Sequence, residues 1–234
     1  MTEIPAYFVT STIITSLAFA ACVWLIFHVT LRRTEGQLIF SAIVALVLFG
    51  WFIAVTVLGK INFFAINPLI APGIIFGWLA LFAVLRKIYL SPRAQAVADA
   101  IPVHWIILSQ TYRVVGVGFI NLYNLGLLPA LFAFSAGYGD ILVGGTAPFV
   151  AYWYIKKKPY SRQLAIIWNF VGIADLIVAL SVGFLGFPRP IQALPLHPST
   201  ELLSLFPLAL ITLFAVPLAI LLHLFSLRAI RKNG

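Results

Sequence analysis

Long apolar stretches, most of them closed by basic residues or prolines, dominate the chain. Seven are long enough to cross a bilayer, because about 20 apolar helical residues match the thickness of its hydrocarbon core. We number them segments 1 to 7; they cover residues 7–31, 38–59, 68–85, 102–126, 136–154, 163–185 and 202–227. The pattern predicts an all-α fold: a single domain that is a polytopic bundle of seven transmembrane helices.

Composition supports a membrane protein and argues against a soluble domain that binds nucleic acid. Of the 234 residues, 62% are hydrophobic and only 9% are charged, which is far from the composition of soluble domains. The net charge of +9 would indicate a nucleic-acid partner in a soluble protein. Here the basic residues lie at the ends of the apolar segments, so we expect a lipid bilayer as the partner and no nucleic acid.

The distribution of lysine and arginine predicts an orientation. Basic residues collect on the cytoplasmic side of membrane proteins. One side has only Lys60 and Arg189, whereas the other has twelve: Arg32, Arg33, Arg86, Lys87, Arg93, Lys156, Lys157, Lys158, Arg162, Arg228, Arg231 and Lys232. We therefore expect the N-terminus outside and the C-terminus in the cytoplasm, and a multi-pass protein of the cell (inner) membrane.

Arg113 is the only charged residue between Ile101 and Leu127, in the middle of segment 4. A charge at the bilayer centre costs at least about 2.5–3.5 kcal/mol, so it needs a partner. Asp175 in segment 6 is the expected one. Both residues lie about 18 Å from the inner boundary if their helices rise 1.5 Å per residue. An ion pair between them would make both charges tolerable.

Other polar residues of segment 4 fall on the same helical face as Arg113. With 100° per residue, Asn124, Gln110 and Asn121 lie within about 80° of it. We therefore predict a polar cavity enclosed by segments 4, 5 and 6, to which Asn169 adds hydrogen bonds. Asp140 is expected near the outer end of segment 5, level with Asn121 and Asn124. There it either lines an external vestibule or caps the start of its helix.

Segment 5 contains the run Gly144-Gly145-Thr146-Ala147-Pro148. A proline removes a backbone hydrogen bond, so one interpretation is a kinked helix that exposes backbone groups to a substrate. The other is that the glycines let a neighbouring helix approach closely. Close packing alone is the favoured interpretation, and the two are compatible.

Three histidines, His28, His104 and His223, are expected near the cytoplasmic ends of their segments. Two of them could ligate a b-type haem, or a group of them a metal ion. His104 lies on the helical face opposite Arg113, and histidines are common at the membrane interface. We therefore predict no cofactor and keep a haem or metal redox protein as a minor alternative.

Three classes of function fit the polar interior. The leading expectation is binding or transport of a small polar or anionic solute, or of protons. An intramembrane enzyme acting on a lipid headgroup or prenyl phosphate is the first alternative, since arginine binds phosphate well. The second is a structural or accessory subunit, in a homo- or hetero-oligomer. Enzymatic activity stays undecided, with the balance against it, because the chain has no recognisable catalytic motif.

Overall fold

Helices form all the regular structure in the computed structural model, which describes residues 4–30, 37–65, 73–188 and 192–232. Six helices are long: α1 (Ala6–Thr30), α2 (Gln37–Lys60), α3 (Gly73–Leu90), α7 (Ala130–Ile155), α8 (Ser161–Leu185) and α9 (Leu208–Lys232). Three are short: α4 (Pro92–Ala100), α5 (Val103–Ser109) and α6 (Val117–Asn124). The all-α prediction is confirmed for these ranges.

Five of the helices have the length and apolar character of membrane spans, namely α1, α2, α3, α8 and α9. Their outer faces carry large apolar side chains at high exposure, for example Leu46 at 75% and Phe82 at 67%. Soluble proteins rarely present apolar surface on this scale. The chain therefore has the character of a multi-pass membrane protein, while the number of crossings and the orientation stay predictions. Arg32, Arg33 and Arg189, which enter the orientation argument, lie outside the described residues, as do Leu31 and residues 68–72 of segments 1 and 3.

Segments 5 and 7 begin at other residues than predicted. Segment 5 was expected from residue 136, but α7 begins at Ala130, directly after the extended residue Pro129. Segment 7 was expected from residue 202, but a short 3₁₀ turn occupies Glu201–Ser204 and the long helix begins at Leu208. Proline lacks a backbone N–H and therefore cannot donate a hydrogen bond to a preceding turn of helix. Pro129 and Pro207 accordingly lie directly before the first residue of a helix.

Segment 4 is helical throughout but not α-helical throughout. Between α5 and α6, residues Gln110–Gly116 form two turns of 3₁₀ helix. The residues at both junctions keep right-handed helical φ and ψ, so the chain does not break there. We refer to Gln110–Gly116 as the 3₁₀ segment.

The last helix is the most enclosed element of the bundle. In its most apolar stretch 78% of the residues are buried, against 6% for α3. It packs against α8, α5, α4 and α3, while its first turns contact α1 and α2. A turn of π-helix, Ile211–Ala215, interrupts it. α7 packs against the 3₁₀ segment, α5, α6 and α8, and these contacts bring segments 4, 5 and 6 together.

The short helix α4 is attached to the end of α9 by charge. Ser91 is its N-cap, Pro92 is its first residue, and the Ser91 hydroxyl accepts a hydrogen bond from Ala94 N–H. The Asp99 carboxylate accepts two hydrogen bonds from Arg228, at 3.0 and 3.2 Å, and one from Lys232 at 2.8 Å. The sequence pattern carries no signal for Asp99, because this residue lies outside the apolar segments.

The ion pairs lower the pKa of Asp99. Burial of the carboxyl acts in the opposite direction, but the hydrogen bonds and charges of Lys232 and Arg228 outweigh it. A carboxylate whose pKa is lowered on folding stabilises the fold above its unfolded-state pKa. That stabilisation is lost as the pH falls through the folded-state value.

Asp99→Asn should therefore lower the free energy of unfolding by about 1 kcal/mol at neutral pH. The gap between wild type and variant should close as the pH falls below the ordinary aspartate value of 3.8. Thermal unfolding followed by circular dichroism at several pH values measures this gap. Arg93→Gln, on the exposed side of the same helix, is the control and should have little effect. A gap that is unchanged at low pH would contradict the assignment.

Candidate functional site

Arg113 lies on the 3₁₀ segment and is only 1% exposed. A 3₁₀ helix has three residues per turn, so residues three apart lie above one another. Gln110, Arg113 and Gly116 accordingly share one face, and all three are buried. The change from 3.6 to three residues per turn thus places Gln110 and Arg113 on one buried face. Arg113 contacts α7 and α8 there, whereas Gln110 contacts Ala219 of α9.

Two carboxylates converge on the Arg113 guanidinium. Its Nε donates to Asp140 Oδ1 of α7 at 2.7 Å, and its Nη2 donates to Asp175 Oδ2 of α8. The Asp140 and Asp175 side chains are 17% and 11% exposed. The contact between Arg113 and Asp175 is the one that the sequence predicted. We refer to Arg113, Asp140 and Asp175 as the ion cluster.

Asp140 lies deeper in its helix than the sequence predicts. It was expected near the start of its helix, as a cap or part of an outer vestibule. Because α7 begins at Ala130, Asp140 lies about 15 Å along the helix axis at 1.5 Å per residue. At that depth Asp140 does not cap the start of the helix. It forms an ion pair with Arg113 instead, as Asp175 does.

The remaining Arg113 contacts determine the protonation state of His223, which is buried. Arg113 Nη1 lies 3.4 Å from the Gly172 carbonyl oxygen and 3.3 Å from His223 Nε2. A guanidinium can only donate, so Nε2 must be the acceptor and the histidine must be neutral. Its Nδ1 then carries the proton and donates to Asn169 Oδ1 at 2.9 Å. The Asn169 amide nitrogen in turn donates to Ser226 Oγ at 3.1 Å and to the Ala165 carbonyl.

The ion cluster carries more negative than positive charge. One guanidinium and two ionised carboxylates leave a net charge of −1. Arg113 already uses four of its five N–H groups on these protein acceptors. Within the described residues, the second oxygen of each carboxylate receives no hydrogen bond. The arrangement can therefore accept a proton or another cation, whereas an additional anion would be repelled.

Two glycines on α7 allow this convergence. A Cβ at Gly139 would overlap the Asp175 carboxyl. A Cβ at Gly144 would lie 2.7 Å from the Val114 backbone nitrogen, which is too close for any side chain. Gly145, by contrast, has nothing within 4 Å of that position. The close-packing interpretation of this run is confirmed for Gly144, and α7 continues through Pro148 as one helix.

The sequence predicts a polar cavity enclosed by segments 4, 5 and 6. Between those segments and α9 the structure has a small cavity of about 40 Å³ with a mainly apolar lining, which includes Phe119, Asp140 and Leu176. A cavity of about 260 Å³ opens between α1, segment 4 and the π turn of α9, with Asp140 in its wall. Its polar side chains are Tyr7, Ser11, Thr12, Thr15, Ser16, Tyr112, Arg113, Asn121 and Asp140.

The cavity is bounded by irregular helix on two sides. The 3₁₀ segment contributes Tyr112 and Arg113, and the π turn contributes Ile211 and Ala215. The Tyr112 hydroxyl donates to the Ala215 carbonyl at 3.3 Å and so links the two. π turns are frequent at functional sites. On the opposite wall, the α1 hydroxyls recur at positions i, i+1, i+4 and i+5, a helical pattern that sequence analysis missed.

The other predicted residues of segment 4 divide into two groups. Gln110 is buried and its amide nitrogen lies 3.4 Å from the Ala219 carbonyl, while its side-chain oxygen has no partner within the described residues. Asn121 and Asn124 are exposed, and Asn121 lines the cavity. Both were expected on the Arg113 face. The three 3₁₀ steps after Arg113 turn α6 by about 60° relative to a regular α-helix, so Asn124 lies about 80° and Asn121 about 140° from Arg113.

The three histidines have different surroundings. His223 belongs to the Arg113 network, and His28 Nδ1 lies 2.9 Å from the Ser41 hydroxyl. His104 lies beside Trp105, with ring centres 5.3 Å apart. Among the residues that the structure describes, no group of three or more His, Cys, Asp or Glu side chains is arranged to hold a metal ion. A haem or metal site gains no support from this geometry.

Comparison with known families adds one identification. A family model matches residues 70–231, more than half of the chain. The chain belongs to the DUF8737 family, a domain of unknown function. No curated protein and no solved structure matches it. The DUF8737 region contains the whole ion cluster, His223 and α3 to α9, whereas α1, with the hydroxyl wall of the cavity, precedes it.

Adjacent glycines give a direct test of the packing that forms the ion cluster. Gly144→Ala should lower the free energy of unfolding by about 1–3 kcal/mol, because it overpacks α7 against the 3₁₀ segment. Gly145→Ala should instead raise it by about 0.5–1 kcal/mol, since alanine favours helix and meets nothing there. Thermal unfolding of the purified variants measures both. Equal effects of the two substitutions would show that α7 does not approach segment 4 as described.

Proposed function

We propose that this chain is a multi-pass membrane transporter whose central step is proton binding at the ion cluster. The supporting observation is that two carboxylates share one arginine, and that Arg113 and Asp140 line a cavity of about 260 Å³. A net charge of −1 in a medium of low dielectric constant is costly, and one bound proton removes it. Intramembrane carboxylates in such settings commonly carry protons in pumps and transporters.

The solute is proposed to be small and either polar or cationic. The cavity of about 260 Å³ is lined by hydroxyl groups from α1 and by the Asn121 amide, which offer both donors and acceptors. An anionic solute, included among the expectations from sequence, is disfavoured because the Arg113 charge is already outnumbered by carboxylates. The same argument disfavours a lipid-phosphate enzyme that would use Arg113 as its anion anchor. No observation on the described residues favours an accessory-subunit role in particular.

We further propose seven crossings of the cell (inner) membrane, with the N-terminus outside. α5, the 3₁₀ segment and α6 together measure about 36 Å if they are collinear, since 3₁₀ residues rise 2.0 Å each. α7 measures about 39 Å by the same arithmetic. Both lengths exceed a hydrocarbon core of about 30 Å. The excess of basic residues in the connections after segments 1, 3 and 5 supports the orientation.

Proton binding can be tested without knowing the solute. The carbonyl stretch of a protonated carboxylic acid is visible in infrared spectra of the purified protein in lipid. We expect one such protonated carboxyl per chain at neutral pH, lost at alkaline pH. Asp140→Asn and Asp175→Asn should each abolish the band of the protonated carboxyl. In either variant the charges of the remaining carboxylate and of Arg113 cancel, so no proton is needed to neutralise the ion cluster. Asp99→Asn, outside the ion cluster, should retain it. Absence of the band in the wild type, or its persistence in both single variants, would refute proton binding.

Transport is tested separately from proton binding, by measuring whether reagents reach the cavity from each side of the membrane. Cys22 is the single cysteine of the chain, so Cys22→Ser provides a thiol-free background. Ser16→Cys and Asn121→Cys then place thiols on two walls of the cavity. A transporter should allow membrane-impermeant thiol reagents to label them from either side of the membrane in different states. Labelling of neither position from either side would exclude a water-filled pathway.

A further inference from the structure

A groove of about 650 Å³ runs along the last turns of α9, on the side that faces α3 and α8. It does not share any residue with the cavity beside the ion cluster. Its lining residues are Tyr89, Ile166, Phe170, Leu224, Leu227, Arg228, Arg231 and Lys232. We refer to these residues as the α9 groove.

The α9 groove changes from apolar to cationic along the helix axis. Phe170, Leu224 and Leu227 line its part towards the middle of the bundle, and Phe170 is 60% exposed to the surroundings. Arg228, Arg231 and Lys232 line the part where α9 reaches the end of its apolar sequence. A phospholipid has the matching order, with acyl chains inside the bilayer and a phosphate at its boundary.

The basic end of the groove is prearranged by α4. Asp99 binds the Arg228 guanidinium through both carboxylate oxygens and also holds Lys232. These bonds leave Arg228 Nη1 and two of the Lys232 N–H groups without an acceptor among the described residues. Arg231 forms no ion pair with any of the described residues. Three cations and one carboxylate leave a net charge of +2 at this end.

We propose that the α9 groove binds one phospholipid with a net negative headgroup, independently of any transport function. The acyl chains would lie against Phe170, Leu224 and Leu227, and the phosphate would accept hydrogen bonds from Arg228, Arg231 and Lys232. A charge of +2 favours an anionic headgroup over a zwitterionic one, because the choline of the latter adds a positive charge. Basic pockets between transmembrane helices bind anionic lipids in this way.

Native mass spectrometry of the delipidated full chain tests the site. The probes are dioleoyl phosphatidylglycerol and dioleoyl phosphatidylcholine, which carry the same acyl chains on different headgroups. We expect one phosphatidylglycerol per chain to bind at least about tenfold more tightly than phosphatidylcholine. Arg231→Gln should weaken the binding of phosphatidylglycerol by about fivefold, which is the usual contribution of one basic residue near a membrane surface. It should leave phosphatidylcholine binding unchanged.

A matched control separates the groove from general surface charge. Lys156→Gln removes the same charge from an exposed position between α7 and α8, away from the groove. It should leave phosphatidylglycerol affinity at the wild-type value. An equal loss in both variants, or equal affinity of the wild type for the two lipids, would overturn the proposal. Displacement of phosphatidylglycerol by millimolar inorganic phosphate would also overturn it, because the site would then recognise a free anion.

Discussion

The Arg113 guanidinium carries a permanent positive charge into the interior of an apolar helical bundle, and the surrounding structure is arranged to compensate it. Breaking a buried ion pair by removing one partner costs about 3–5 kcal/mol, so the partners must be held firmly in place. Asp140 and Asp175 come from two other helices and approach within hydrogen-bond distance. Their convergence requires three helices to meet at one point, and this requirement determines much of the local packing.

Several local irregularities follow from that requirement. The 3₁₀ segment brings Gln110 and Arg113 onto one buried face, while glycine at positions 139 and 144 lets α7 and its neighbours approach. His223 is held as a neutral acceptor for Arg113 by its bond to Asn169, so it adds no second positive charge. Segments 4 and 5 pack closely at Gly144, and a cavity of about 260 Å³ lies on the α1 side. The cavity therefore borders the ion cluster rather than surrounding it.

Much of the fold could be predicted from periodicity and charge, and part of the site could be predicted from depth. Arg113 and Asp175 were paired because both lie at the same distance along their helices, an argument that needs only helical rise. Asp140 was misplaced because the apolar residues before it did not reveal that α7 begins at Ala130. The angular positions of Asn121 and Asn124 differ from those expected for a regular α-helix because a hydrophobic pattern does not distinguish 3₁₀ from α-helix. The hydroxyls of α1 and the partners of Asp99 depend on contacts between distant parts of the chain, which no local pattern encodes.

Two carboxylates compensate the Arg113 charge at once. The free energy of unfolding of Arg113→Gln, compared with that of the triple variant Arg113→Gln/Asp140→Asn/Asp175→Asn, tests this most directly. The single variant leaves two buried carboxylates without a counter-charge and should lose about 3–5 kcal/mol. The triple variant removes every charge of the ion cluster and should recover most of that loss. A triple variant no more stable than the single one would contradict the account.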